Sequence, residues 1–370
     1  MQRYTALIAE GMISRHHQVE IWSPKAYFYR IPIYLPIRKW LGYIDQFIIF
    51  PFVIKKRITK CNPDTLFVFT DHALGLYVPM VTNRKHIIHC HDFLAQKSAM
   101  DQIPEQGTAL TGKLYQYFIR KGFNKGRNFI SVSESTQNDL HRLLPSAPNL
   151  STVVYNGLNK IFHPIHKYTA RKLLSEKTGI KYSQGFILHV GGNDWYKNRS
   201  GVIEIYNKWR SIQEKKLPLL LLGAKPNSSL IDKVKSSPYS SSINFLVDPD
   251  DIFLNIAYSG ASLLLYPSLN EGFGWPIAEA LAAGCPVITT NEAPMTEVGG
   301  EAAFYISRRP IECSKSDLWT DECAAMINQV MNLSVENQEK LRQLGIENIM
   351  RFDLTNTLDE IESNYYRIKI

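Results

Sequence analysis

Cysteine is scarce in this chain: five in 370 residues, an odd number with no C-x-x-C spacing. That argues against a disulfide framework and supplies no zinc-ligand pattern. Cys90 and Cys285 sit in apolar, strand-like runs and read as small core residues of a protein kept in reducing cytosol. Long apolar runs are missing too. The best of them, YIDQFIIFPFVI (43–54), is shorter than the roughly 18 to 20 residues a membrane span needs and contains Asp45. Glu10 interrupts the apolar stretch at the start, so the layout of a secretory signal is lacking. Repeats and low-complexity tracts are lacking as well. Acidic residues are short in one half only. Residues 1–160 carry 20 Lys and Arg against 10 Asp and Glu, whereas the remainder carries 22 against 24. A basic front half attracts an anionic partner: a membrane surface, a nucleic acid or a phosphorylated substrate. Much of the charge falls between Lys25 and Lys60, mixed with aromatics, where a solvated helix face over ordinary core rings is the plainer explanation. Nucleic acid is not expected, because no RNP, KH or zinc-knuckle signature accompanies the patch.

What is present is a long alternation of strand-like and helix-like segments, the pattern of an α/β protein with parallel sheets. The first half reads as a helix at 2–14, strands at 18–22, 65–71 and 86–90, a helix at 111–125, a strand at 128–133, a helix capped by Ser133 or Ser135, and a strand at 151–157. LNKIFHPIHK is irregular and reads as a linker. A second series follows, with strands at 186–192, 217–224, 242–247, 261–267 and 286–290 between helices, and closing helices at 320–332, 335–348 and 354–367. The expectation is two doubly wound Rossmann-like domains facing a central cleft, 1–165 and 166–350, with residues 351–370 as a final helix.

The stretch with most chemistry is PSLNEGFGWPIAEALAAGCPVITT (267–290). It reads as the end of a buried strand, a loop, a helix with Pro276 at its first position and Gly284 at its C-terminal cap, and another strand. The loop therefore lies at the carboxyl end of a parallel strand, where open α/β sheets bind ligands. Gly272 and Gly274 permit close backbone approach, and their amides at a helix N-terminus suit a phosphate. Glu279, expected on the first turn, suits a vicinal diol such as ribose, and Glu271 points past the phosphate. Together they describe a nucleotide-sugar site. Taken singly, Glu279 is equally a helix-dipole carboxylate and Glu271 a loop carboxylate.

This segment resembles the E-x7-E region of the retaining glycosyltransferases of family four, which have the GT-B fold. The resemblance extends over nearly the whole chain: VYNGLNKIFHPI, FILHVGGNDWYKNRSG, NEAPMTEVGGEAAFYI and the closing RFDLTNTLDEIESNYYRI all match family segments, as do HCHDF and ISVSESTQNDL in the first half. It implies two Rossmann-like domains, with the last helix crossing back to the first. By resemblance, Glu279 binds the donor ribose and Glu271 the transferred sugar. The backbone of Gly272, Phe273 and Gly274 lies beside sugar and diphosphate, and Lys197 neutralises the leaving diphosphate. His91 stands on the opposite wall, Gly192 lies in the phosphate loop, and Val247 meets the nucleobase. The family often has an arginine about five residues before that lysine; here Gly192 and Asn193 occupy the region, and Arg199 is the substitute cation. The implied activity is transfer of a hexosyl unit, most often mannosyl, from a nucleoside diphosphate sugar to a glycan or lipid-linked acceptor. Retention of configuration is implied as well; the place of work expected from the cysteine usage is the cytoplasm, and the basic first half points to the inner face of the cell membrane.

Two features qualify that reading. Family members usually carry a strand and a glycine-rich loop before the helix at which Met1 begins, so weak or absent activity is expected of the chain unless that segment is supplied. A non-catalytic nucleotide-sugar-binding or scaffold protein derived from such an enzyme is the alternative; the intact E-x7-E and YKNR oppose it. VDPDDIF (247–253) contains a D-x-D, which holds a metal in another glycosyltransferase class, but its position reads as a helix N-cap with an acidic first turn. Neither a metal nor any other cofactor is expected, and no lysine stands in a recognisable pyridoxal phosphate context.

Overall fold

The computed structural model describes residues 2–214 and 216–369, side chains included except those of Gln2, Leu35, Pro36, Ile37, Lys39 and Cys313. Two parallel sheets organise it. The first is built from β1 (Phe67–Phe69), β2 (His86–Cys90), β3 (Asn128–Ser131) and β4 (Leu150–Val153), in that spatial order. The second contains β5 (Ile187–Val190), β6 (Leu219–Gly223), β7 (Ile243–Val247), β8 (Leu263–Tyr266), β9 (Val287–Thr290) and β10 (Ala303–Ile306), ordered β10-β9-β8-β5-β6-β7. Strands such as LLLLG and LLLY are covered on both faces, so they show no alternation and read as continuous apolar runs. One face packs around Phe186, Tyr258, Tyr266 and Ile277; the other around Tyr206, Trp209, Ile288 and Trp319.

The order of the second sheet positions the site. From β5 the chain proceeds one way to β6 and β7, then returns to the other side of β5 with β8. The loops after β5 and β8 therefore leave neighbouring strands in opposite directions and open a crevice at their carboxyl ends.

One expected strand does not form. Residues 18–22 make no ladder with any described residue. Val19 and Ile21 are left exposed, and Trp22 alone packs, edge-on to Phe67 at 5.9 Å with the Arg57 guanidinium over its ring at 5.4 Å. A strand needs a partner for its backbone groups, and periodicity alone does not supply one. Conversely, β10 was not among the expected strands, and the helical face read between Lys25 and Lys60 takes the form of two helices, Leu35–Ile44 and Phe50–Ile58.

The final helix, Leu354–Tyr366, crosses back to the first domain and packs on helix Gln2–Ser14. Leu358 and Ile361 join Ile8, Met12, Ile87 and Ile130 in one cluster, and Arg15 pairs with Asp359 and Glu362. A Cβ at Gly11 would fall 2.5 Å from Leu358 Cδ2, so any side chain there would push that leucine aside. Beneath this contact His89 is fully buried between Tyr4 (Nδ1 to hydroxyl 2.7 Å) and Tyr365 (Nε2 to hydroxyl 2.9 Å).

Candidate active site

The domains touch where the crevice opens. Gly272 lies so close to β2's end that a Cβ would sit 1.8 Å from the carbonyl oxygen of His91. Ser133 Oγ donates to Gly272 O at 2.7 Å, and Thr136 Oγ1 lies 3.2 Å from both that oxygen and His91 O. Domain packing thus accounts for the lack of a side chain at Gly272. Gly274 needs glycine for another reason: its φ of 104° lies in the left-handed region, and it caps helix Trp275–Ala282. Phe273 is buried, its ring 5.3 Å from Phe352 and 6.3 Å from Tyr155. Elsewhere Glu297 accepts the N–H groups of Glu134 and Ser135 at 2.7 and 2.8 Å, so a carboxylate of the second domain caps a helix of the first. Ser133, the first of the two serines named from the sequence, supplies that helix's own cap.

Lys197 and Glu271 meet. Lys197 Nζ donates to Glu271 Oε1 and Oε2 at 2.7 and 2.9 Å and to the Tyr266 hydroxyl at 2.9 Å. Glu271 also accepts from Tyr266 and from Ser268 Oγ at 2.7 Å, and only 8% of its side chain is exposed against 16% for Lys197. The loops after β5 and β8 are laced together around this pair: Leu269 N and Ser268 Oγ both donate to Tyr196 O, and Asn198 Nδ2 donates to Pro267 O. Asn198 itself is left-handed (φ 51°) and caps helix Arg199–Ile212. Gly192 lies in the same loop, where a Cβ would stand 3.1 Å from Asp194 Oδ2. Tyr266, Ser268 and Tyr258 were not singled out from the sequence; they are ordinary strand and helix residues until the fold brings them to the carboxylates.

Glu279 is the fifth residue of its helix rather than the fourth, because the helix opens at Trp275; it therefore sits past the first turn. It is buried, accepts from the Tyr258 hydroxyl at 2.9 Å, and burial pushes its carboxyl up to about 7, against the opposing effects of the Tyr258 bond and Arg3. Arg3 reaches over from the first domain to pair with Asp251 at 2.9 Å.

Across the crevice, His91 donates from Nε2 to the Thr70 carbonyl at 2.9 Å, with Tyr4 edge-on at 4.4 Å between centroids. Burial pushes its pKa down in spite of Asp71 and Asp92, so the ring is neutral and Nδ1 is its acceptor nitrogen. Asp71 and His72, not foreseen, stand beside it: their side chains approach to 3.2 Å, and the His72 ring packs on Phe93 at 4.5 Å.

Arg199, the expected substitute cation, does not face solvent. It is buried, bonded through Nη1 to Asn193 Oδ1 (2.9 Å) and Ala224 O (3.0 Å), and its guanidinium lies over Phe245 at 5.7 Å. It thus reaches back to the loop position at which the family's usual arginine is absent. Val247 ends β7 and is 45% exposed. The D-x-D resolves as expected: Asp250 caps helix Asp251–Gly260 by accepting from Phe253 N at 2.8 Å.

Two family profiles match the chain in tandem: glycosyltransferase family 4 over residues 1–160 and glycosyl transferases group 1 over 170–345. Similar proteins include the O-antigen chain mannosyltransferase B of Escherichia coli, 29% identical over 165 residues that make up 42% of this chain and 43% of that protein. The O-antigen chain mannosyltransferase RfbU of Salmonella typhimurium is 24% identical over 195 residues, 52% of this chain and 50% of that one. The matches thus span about half the length of these relatives. Among solved structures, that of Anabaena Alr3699/HepE in complex with UDP and glucose aligns with a TM-score of 0.70 at 15% identity, over 97% of this chain and 89% of that one. With both halves matched in sequence and the two-sheet architecture shared, the chain belongs to the group 1 glycosyltransferases of family four, with the GT-B fold.

Proposed function

We propose that this chain is a retaining, metal-independent hexosyltransferase that takes its sugar from a nucleoside diphosphate donor and passes it to a glycan or lipid-linked acceptor. The observation that carries the reading is the Lys197–Glu271 pair at the switch point, with Tyr266 and Ser268 holding the carboxylate and His91 on the facing wall. A diphosphate seated at the loop after β5 would draw Lys197 toward its developing charge, where a fixed cation lowers the barrier to departure. Glu271, released, would accept hydroxyls of the transferred sugar. Glu279 would take the ribose hydroxyls, Val247 would flank the base, and Arg199 would stiffen the phosphate loop through Asn193. A neutral His91 presents an acceptor nitrogen to a sugar hydroxyl. In this account the leaving diphosphate assists in deprotonating the acceptor, so no dedicated protein base and no cofactor is required. The names of the two O-antigen relatives favour mannose and a surface polysaccharide acceptor. The place of work we propose is the cytoplasm, at the inner membrane face; no helix among the described residues is long and apolar enough to cross a membrane.

The test is a panel of GDP- and UDP-sugars scored first by thermal shift and then by transfer, with a chelator present and with Glu271→Ala alongside. One sugar should stabilise the protein and be transferred with its anomeric configuration kept, read by NMR of the product. Strict dependence on a divalent ion, or inversion, would overturn the proposed mechanism. Donor binding without transfer or hydrolysis would favour the non-catalytic alternative.

A further inference from the structure

Between Lys25 and Lys60 the chain holds eight Lys and Arg but one acid, Asp45. That acid is buried: its two carboxylate oxygens accept the backbone N–H groups of Phe28 and Tyr29 at 3.0 and 2.9 Å. The outward side of this segment is therefore mainly basic; from outside it Glu20 pairs with Arg57 at 3.2 Å. Asp45 is spent on pinning an aromatic loop whose side chains face water, Tyr27, Tyr29 and Tyr34 being 56%, 44% and 76% exposed. Helices Leu35–Ile44 and Phe50–Ile58 run on from one to the other through a π turn at Asp45–Ile49. Trp40, Ile48 and Phe52, spaced by multiples of four, are 63%, 51% and 72% exposed, and the exposed cations Lys55 and Lys56 follow.

This apolar stripe does not end at these two helices. Trp40, Tyr43, Phe47 and Tyr115 form a ladder of rings with centroids 5.6, 5.5 and 5.8 Å apart. The ladder leads to helix Leu110–Phe123, where Leu110, Leu114 and Phe118, again four apart, are 83%, 56% and 47% exposed. Between the two helical segments lies a cavity of about 280 Å³ lined by Phe47, Pro51, Leu76, Tyr77, Tyr115 and Phe118. Asp71, whose charge acts on both Tyr115 and His91, lies between that cavity and the wall of the crevice.

We propose that this face docks on an anionic lipid bilayer, with Trp40, Ile48 and Phe52 in the headgroup layer, Lys55 and Lys56 on lipid phosphates, and the Phe47–Tyr115 cavity holding a lipid chain. Aromatic rings and lysines side by side on an amphipathic helix suit the boundary of a bilayer, where rings bury and cations reach the phosphates. A protein partner fits less well, because lysine is depleted at protein interfaces. The site rests on the glycosyltransferase reading for its purpose: it would present a lipid-linked acceptor to His91 from the membrane side.

The test is flotation of the full chain with neutral phosphatidylcholine vesicles and with vesicles about one-third phosphatidylglycerol. The wild type should float with the anionic vesicles only. Each basic residue at such a surface is worth about fivefold in partitioning, so Lys55→Gln with Lys56→Gln should weaken it about 25-fold. Ile48→Ser with Phe52→Ser should abolish flotation while leaving the fold intact, since both side chains are already exposed. Donor thermal shift should be unchanged in both variants. Wild type that stays unbound, floats equally with neutral vesicles, or is matched by the variants would overturn the inference. So would a dimer dissolved by Ile48→Ser with Phe52→Ser, which would assign the face to a second copy. Flotation without sugar transfer would sink the enzymatic reading alone; transfer to a soluble acceptor without flotation would sink this one alone.

Discussion

Lys197→Met separates what the central ion pair does for the fold from what it does for chemistry. The substitution removes Nζ from 2.7 and 2.9 Å of a carboxylate whose side chain is 8% exposed. Leaving a buried charge without its partner typically costs about 3–5 kcal/mol. Glu271 keeps the Tyr266 and Ser268 hydroxyls, each worth about 1 kcal/mol or somewhat more toward a charged acceptor, so the expected loss is about 2–3 kcal/mol. Glu271→Gln should cost less, because Lys197 is the more exposed partner and can turn toward the crevice. In the double variant no buried charge is stranded, so stability should return to within about 1 kcal/mol of wild type; with about 1 kcal/mol for Glu271→Gln alone, the coupling is about 2–3 kcal/mol. Turnover should behave differently. Without a cation at the leaving diphosphate, kcat should fall about 100- to 1000-fold, and the double variant should not recover it. The assays are denaturant unfolding and single-turnover transfer from the preferred donor. Recovery of turnover in the double variant would refute the leaving-group role. A Lys197→Met protein as stable as wild type would refute the electrostatic reading of the pair.

Three further outcomes are expected. Glu279 has its carboxyl pushed up to about 7, so the folded chain holds a proton that the unfolded chain releases near 4.5. Its contribution is full below about 4.5 and lost as pH rises through 7, at most about 3 kcal/mol, and Glu279→Gln should flatten that part of a melting-temperature profile; an unchanged slope would contradict it. His89 and His189, fully buried, have pKa values pushed down to about 3 by burial, so their contributions are full above about 6.5 and lost as pH falls toward 3. Each should add a slope of up to about 1.4 kcal/mol per pH unit below 6.5, and His89→Gln should remove one of the two in acid unfolding. Gly272→Ala would force a Cβ to 1.8 Å from the His91 carbonyl, a backbone atom with no rotamer to yield. Transfer should fall tenfold or more with little change in the second domain's unfolding, and small-angle scattering should report a larger radius; wild-type kinetics would contradict it.

Much of the second domain was legible because its strands are buried on both faces. LLLL and LLLY have nowhere else to go, and the helices between them carry their own caps at Asn198, Asn227 and Asp250. Residues 18–22 misled for the converse reason: alternation marks a chain that can pair, and whether a partner lies alongside is decided elsewhere. The site divides in the same way. Glu271, Glu279 and Lys197 stand in recognisable strings, but what holds them does not. The Lys197–Glu271 pair closes over 74 residues and the Tyr258–Glu279 bond over 21, and no local pattern announces Tyr258 or Ser268. Gly272 was noticed for its lack of a side chain, yet the reason lay in a carbonyl of the other domain. In the 25–60 segment the mixture of rings and cations was visible, while the loop that Asp45 pins at Phe28 and Tyr29 was not.

The return of helix Leu354–Tyr366 to the first sheet also has a consequence for the order of folding. The layer under β2 and β3 is not closed until Leu358, Ile361 and Ile368 have joined Ile8 and Met12, some 350 residues away along the chain. During synthesis the second sheet, complete by Ile306, can reach its packed state while the earlier-made domain still waits with one face open. The part translated first is therefore the part finished last. Cutting the chain before Leu354 should loosen hydrogen exchange in β2 and β3 far more than in β5 and β8.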